Sequence, residues 1–196
     1  MKKYLSAIAA AGLLSQSANA TILDFETGSI VGGMMGSYVE DDFRISSDFG
    51  PVAPFDIFGP SFAAGSDGNI FGWCGGQCQD ADSPQVISLT SIDGSAFNLL
   101  SVDFASLFEP SGEVKLSVHG LFEAGGEISQ VVEQTGAFAT TDFTGFTGLS
   151  AVEFRVFGDS DDPAMDNIRL AYAPAPQTLA LLLVGLVGVF ARKRVS

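Results

Sequence analysis

The chain is poor in the residues that carry out chemistry. Its 196 residues include one histidine, one tryptophan and two cysteines, and charged residues make up only 16% of it. The lone histidine, His119, sits between Val118 and Gly120 on a segment that reads as a strand, with its side chain on the polar face. A Ser-His-Asp relay would have to use it, yet no G-x-S-x-G elbow accompanies it. H-E-x-x-H, the P-loop and the Rossmann glycine pattern are all missing, which removes the usual carriers of metalloprotease, nucleoside-phosphate and dinucleotide chemistry. Paired carboxylates could hydrolyse a glycoside, but among 23 acidic residues such a pair arises by chance. No interior stretch shows a capped helical period, and no repeat of solenoid or propeller length occurs.

Positive charge is scarce where it would matter. All 23 acidic residues fall between Thr21 and Ala173, against four cations there, Arg44, Lys115, Arg155 and Arg169. That body carries a formal −19, more extreme than the −14 of the whole chain. A field of this sign repels nucleic acid and anionic lipid heads, so no nucleic-acid partner is expected. It favours divalent cations, or simply a solvated surface.

The other five cations lie at the two ends. Lys2 and Lys3 precede the short apolar run Leu5 to Leu14 and the small-residue triplet Ala18-Asn19-Ala20. These are, in order, the three parts of a secretory signal peptide, so residues 1–20 read as a cleaved leader helix. At the far end, Leu179 to Ala191 is apolar and Arg192-Lys193-Arg194 follows almost at the terminus. Thirteen helical residues rise about 20 Å, short of a hydrocarbon core of about 30 Å. The uncharged stretch reaches back to Leu170, and Pro174 and Pro176 fit a first helical turn, so the segment spans marginally. The basic knot stays on the cytoplasmic side and leaves the body outside the inner membrane.

This tail resembles the PEP-CTERM sorting signal of Gram-negative bacteria. Pro174, Pro176, Thr178, the Leu179-Ala180-Leu181-Leu182 start, Gly185, Gly188 and Arg192-Lys193-Arg194 match, and Ala175 stands where that family has glutamate. The resemblance covers 173–196. It implies an exosortase-like membrane protease as partner, passage through the inner membrane, release to the cell surface or medium, and export alongside exopolysaccharide.

Between the ends, residues 21–172 read as one all-β domain. Short segments punctuated by Gly, Pro, Asp and Ser are expected as strands: Ile22–Phe25, Asp42–Ser46, Val52–Phe58, Val86–Leu89, Phe97–Phe104, Val114–Phe122, Ile128–Gln134, Ala151–Phe157 and Asn167–Tyr172. Val114, Leu116 and Val118 alternate with Lys115, Ser117 and His119, the period of a strand with one buried face. Seventeen phenylalanines suggest an aromatic core between two antiparallel sheets, most simply a jelly-roll-like β-sandwich.

Cys74 and Cys78 bracket Gly75-Gly76-Gln77. In an oxidising compartment a disulfide is the first reading. A redox pair would want C-x-x-C before a helix, and a metal pair would want further ligands. Beside them, Trp73 and Phe71 are candidates for stacking on a sugar ring; a place for Trp73 at one end of the core is the competing reading.

Two short signatures open and close the body, Ile22-Leu23-Asp24-Phe25-Glu26 and Asp166-Asn167-Ile168-Arg169-Leu170. The pairing resembles jelly-roll carbohydrate-binding modules and the galactose-binding-like fold. That resemblance implies a structural calcium site shared by a first-strand glutamate and a last-strand aspartate, here Glu26 and Asp166. Asp159, Asp161 and Asp162 offer further carboxylates just before the last strand, though without the glycine and terminal glutamate of an EF-hand. An exposed acidic turn is the other reading of that loop. The sequence therefore points to a non-enzymatic exported surface or matrix protein. A secreted polysaccharide hydrolase and a permanently anchored carbohydrate-binding protein stand as alternatives.

Overall fold

The computed structural model describes residues 20–27, 37–47, 55–58, 68–73, 86–107, 112–157 and 160–173. Ala20 to Tyr172 form one compact unit. The leader up to Asn19, Asp159, the Cys74–Cys78 pair and the tail with Pro174, Pro176, Thr178 and Arg192-Lys193-Arg194 lie outside the described residues. No helix among the described residues is long and apolar enough to cross a membrane.

Every regular element described is a strand: β1 (Ala20–Leu23), β2 (Ser37–Glu40), β3 (Phe43–Ser47), β4 (Phe55–Phe58), β5 (Ile70–Trp73), β6 (Val86–Ser91), β7 (Phe97–Ser106), β8 (Glu113–Phe122), β9 (Glu127–Thr135), β10 (Ala139–Asp142), β11 (Leu149–Val156) and β12 (Pro163–Tyr172). All pairings are antiparallel. One layer runs β2-β3-β6-β11-β8-β9. The other runs β10-β7-β12-β5-β4, with β1 sharing the far edge of β12. A single residue pair, Leu149↔Phe97, joins the layers through hydrogen-bonded pairing. The chain crosses repeatedly between the layers, as a jelly roll does.

Alternation explains the long strands. In β6 and β8 every second side chain is buried, which places Ile87 and Leu89, and Val114, Leu116 and Val118, against the opposite layer. Aromatic rings close the gap. Phe104 of β7 meets Phe154 of β11 edge-on at 6.1 Å, Phe43 of β3 meets Phe97 of β7 at 5.3 Å, and Phe43 stacks on Tyr172 of β12 at 5.6 Å. These pairs lie on strands that are not neighbours within either layer, so the two sheets pack face to face. Each fully buried ring contributes about 1.5–3 kcal/mol relative to exposure.

Three strands escape a reading of the sequence. β5, Ile-Phe-Gly-Trp, is buried along its whole length and shows no alternation. β10, Ala-Thr-Thr-Asp, is polar and mostly exposed, and β2 is four residues long. The expected first strand also ends early. β1 stops at Leu23, and Phe25 adopts a left-handed conformation with φ 60°.

Candidate functional site

β12 has two partners along one edge. Ala164 and Met165 pair with β5, and Ile168 to Ala171 pair with β1. Asp166 and Asn167 fall in the gap between them. Here the β7–β12 register shifts, between Asp166 and Arg169, and Asn167 turns left-handed with φ 47°. A bulge of this kind re-aims the side chains beside it.

Acidic residues converge on the gap. Asp103 of β7 lies directly opposite Asp166 in the ladder, and Thr140 of β10 lies opposite Asp103 and donates to its Oδ1. From the other side, the turn after β1 brings in Asp24 and Glu26, and Gly68 closes the ring where the chain enters β5. Asp24, Glu26, Gly68, Asp103, Phe138, Asp166 and Asn167 line a cleft of about 380 Å³. Among the described residues that line it are four carboxylates and no lysine or arginine.

Local bonds hold this geometry. Glu26 N–H donates to Asp24 Oδ1 at 3.1 Å, and Asn69 N–H donates to Glu26 Oε1 at 2.7 Å. Asn69 Nδ2 donates to the Phe25 carbonyl at 3.3 Å. Beneath the turn, buried Glu40 of β2 accepts from the Phe25 N–H at 3.1 Å and from the Tyr38 hydroxyl at 3.2 Å. Asp166 is 8% exposed and accepts its own neighbour's N–H, from Asn167, at 2.7 Å. Burial raises its carboxyl to about 6 against that bond, with Asp103, Asp24 and Glu26 adding repulsion. Glu40 is raised as well, first by burial and then by the nearby Asp24 carboxyl.

The donor set suits a hard cation of the calcium type, which takes carboxylate and carbonyl oxygens. As the side chains stand, no three His, Cys, Asp or Glu groups among the described residues converge to ligating distance. The cleft therefore presents the right atoms in an open arrangement. Glu26 and Asp166, the pair singled out in the sequence, both line it. Glu26 does so from the turn after β1 rather than from the strand itself.

The sequence reading missed Asp24 and Asp103. Asp24 stands two residues before Glu26, and Asp103 is the one charged residue of β7, set between the buried Val102 and Phe104, which was the available signal. Of the loop before β12, Asp159 lies outside the described residues, and Asp161 and Asp162 are not among the described residues that line the cleft. Asp161 instead accepts from the Glu113 N–H at the start of β8, and the Asp162 carbonyl accepts from the Leu107 N–H at 2.8 Å.

Two other candidates resolve differently. Trp73 is 1% exposed and packs on Phe71 at 5.9 Å, and Phe71 is itself fully buried. Neither ring offers a face to a sugar, because β5 is covered on both sides. Trp73 belongs to the core, and its indole N–H has no hydrogen-bond partner there. His119 lies on the outer face of β8, with Nε2 2.5 Å from Ser117 Oγ and Nδ1 3.4 Å from a Glu127 oxygen. Around Ser117, β8 pairs on both sides, with β11 and β9, and the Lys115 N–H donates to Ser160 Oγ at 2.9 Å, so the backbone N–H groups beside Ser117 are already engaged and form no oxyanion hole.

No protein-family model matches the chain, and no curated protein matches it. Solved structures do. A family 29 carbohydrate-binding module, CBM29-2 in a mutant form complexed with mannohexaose, is similar at TM-score 0.48 and 13% identity, over 81% of this chain and 94% of that one. The K2 cleaved adhesin domain of Lys-gingipain is similar at TM-score 0.48 and 12% identity, over 78% and 99%. The family 32 module from C. perfringens NanJ, in complex with galactose, gives TM-score 0.41 and 15% identity, over 67% and 93%. Likeness at this level bears on neither ligand nor site. The two-layer antiparallel fold rests on the strand pairing itself.

Proposed function

We propose that the protein is an exported, non-enzymatic β-sandwich module of the cell surface or extracellular matrix. A calcium ion held by Asp24, Glu26, Asp103 and Asp166 ties its body together. The observation that carries the calcium reading is the cleft: four carboxylates, from the turn after β1, from β7 and from β12, with no cationic side chain among the described lining residues. Calcium fits such a set better than magnesium, because it accepts irregular coordination and more ligands. Its role is structural. It cancels the repulsion between Asp103 and Asp166 across the β7–β12 ladder and locks the turn after β1 to the last strand.

The reading of export rests on the two ends of the sequence. The leader directs the chain across the inner membrane, and the 173–196 signal holds it there until an exosortase-like protease releases it. Exopolysaccharide is the surrounding medium and the partner in this reading. The two halves are tested separately. Thermal unfolding of the exported protein, with calcium and then with excess chelator, tests the cation. At a hundredfold excess over its dissociation constant a bound ion adds about 2.7 kcal/mol. For a domain of this size that is a rise of about 5–10 °C. Equal melting in both conditions rejects calcium. Mass spectrometry of the exported protein tests the processing; recovery of Arg192 to Ser196 in the released material rejects it.

A further inference from the structure

Among the described residues, strand β9 is a bare edge. Its nine residues pair there only with β8, in a register that runs from Glu113↔Thr135 to Leu121↔Glu127 without a bulge. The turn between these strands fixes which backbone groups that pairing uses. Phe122 N–H donates to the Gly126 carbonyl at 3.2 Å, so the hydrogen-bonded positions on β9 are Ile128, Gln130, Val132 and Gln134. The N–H and C=O groups of Glu127, Ser129, Val131, Glu133 and Thr135 point the other way and meet no backbone partner among the described residues. Gln130 reaches around with its side-chain amide to the Asp142 carbonyl, and the Gln134 amide is shared between the carbonyls of Ala137 and Thr135, so that Thr135 at the strand end is touched and the outward groups of Glu127, Ser129, Val131 and Glu133 are left uncovered among the described residues.

Exposed edges are normally blunted by charged side chains, lysine above all, by proline, a bulge or short length. β9 carries the charges of Glu127 and Glu133 but has no lysine, no proline and no bulge, and Val131 at its middle is 59% exposed. The remaining edge strands described, β1, β2, β4 and β10, are four residues each.

We infer that β9 pairs with β9 of a second copy of this chain, antiparallel about a two-fold axis at Val131. The sequence of the strand selects that partner and that register. With Val131 opposite Val131, the outward backbone groups make about ten hydrogen bonds. Glu133 then faces Ser129 and Glu127 faces Thr135, so each edge carboxylate meets a hydroxyl that can donate to it. Side chains also keep their faces, because paired positions have the same parity. Moving the axis to Gln130 sets Glu127 against Glu133 twice, and moving it to Val132 shortens the overlap and leaves Glu127 unpaired. An isologous pair uses up the one long edge among the described strands and closes, giving a dimer rather than a fibre. Two bodies of formal charge −19 repel, so association strengthens as salt shortens the Debye length from about 30 Å at 0.01 M to about 8 Å at 0.15 M.

The test measures the particle mass of the full chain in a non-ionic detergent, at both salt concentrations. Val131→Pro removes an N–H that β8 does not use, so the β8–β9 ladder survives it. Val131→Lys is the second variant, placing an edge charge without touching the backbone. Two chains per particle at the higher salt, falling to one in both variants, is the expected result. A cysteine trap reads the register. Val131→Cys meets its own copy and cross-links on oxidation, whereas Ser129→Cys lies four residues from its copy, about 13 Å along the strand, and does not. The wild-type chain, with Cys74 and Cys78, is the oxidation control. One chain per wild-type particle at both salts, variants as heavy as the wild type, or equal trapping at 129 and 131 overturns the inference.

Discussion

A Cβ built on Gly68 would stand 1.7 Å from Glu26 Oε1. The carboxylate of Glu26 thus fills the space that any larger residue at 68 would need, and its Oε1 takes the Asn69 N–H in the same step. Gly68→Ala is expected to push Glu26 out of the cleft while leaving both sheets intact. The lost bond to a charged acceptor is worth about 1.5–3 kcal/mol. Circular dichroism should remain that of a β protein, while the calcium-dependent rise in melting temperature shrinks to less than half. A full calcium response in the variant would show that Glu26 does not hold the ion.

The cleft also sets a pH dependence. Asp166 is raised in the folded state to about 6, first by burial, and Glu40 is raised too, first by burial. A carboxyl whose folded pKa lies above its unfolded value binds protons more tightly when folded. Its ionisation therefore costs stability as pH rises between the two values. Without divalent cations, the protein should be less stable at pH 7.5 than at pH 5, the reverse of a domain built on salt-bridged carboxylates. Asp93 works in the opposite sense, because its bonds to Ser91 and Ser95 hold it below the ordinary carboxylate range, and it acts only at more acid pH. Chelator-treated urea melts across this range check the sign. Asp166→Asn should flatten the slope near pH 6, raise metal-free stability at pH 7.5 and remove the response to calcium. A slope that survives the substitution would assign the effect to other groups.

The contrast between strands and site shows what the sequence could tell. β8 and β11 were legible because Val114, Leu116 and Val118, and Val152, Phe154 and Val156, alternate with polar residues. β5 was not, because a strand covered on both faces has no polar side to alternate with. Glu26 and Asp166 were found through a resemblance between the two ends of the body. Asp103 stands out locally only as a charge between two apolar residues; what joins it to Asp166 is the Asp166↔Asp103 register, a property of strand pairing that the local pattern does not carry. The same applies to Gly68, whose role is the room it leaves for a side chain 42 positions earlier.

Trp73 supplies a packing prediction. With 1% exposure and a place in the main core cluster, its truncation to alanine should remove about 3–5 kcal/mol. Trp73→Phe should cost less, since the indole N–H makes no hydrogen bond that the change would forfeit. Denaturant melts of the two variants distinguish this from a ligand-binding role. A Trp73→Ala protein with unchanged stability would return the ring to the surface.

Glu40 is expected to act on the cleft from beneath, as a hydrogen-bond acceptor rather than as a charge. Its Oε2 takes both the Phe25 N–H and the Tyr38 hydroxyl, and Phe25 is the left-handed residue that separates Asp24 from Glu26. Non-glycine residues hold that conformation only when their surroundings fix it. Glu40→Ala leaves a buried N–H without a partner and frees the turn, so a loss of about 2–4 kcal/mol follows from the unmet donor and the cavity together. Glu40→Gln keeps an acceptor for Phe25 and removes the repulsion from Asp24, and should stay within about 1 kcal/mol of the wild type. The calcium response should separate the two in the same order, weakened by alanine and kept by glutamine. Equal loss in both variants would mean that the charge on Glu40, and not its acceptor atoms, shapes the turn.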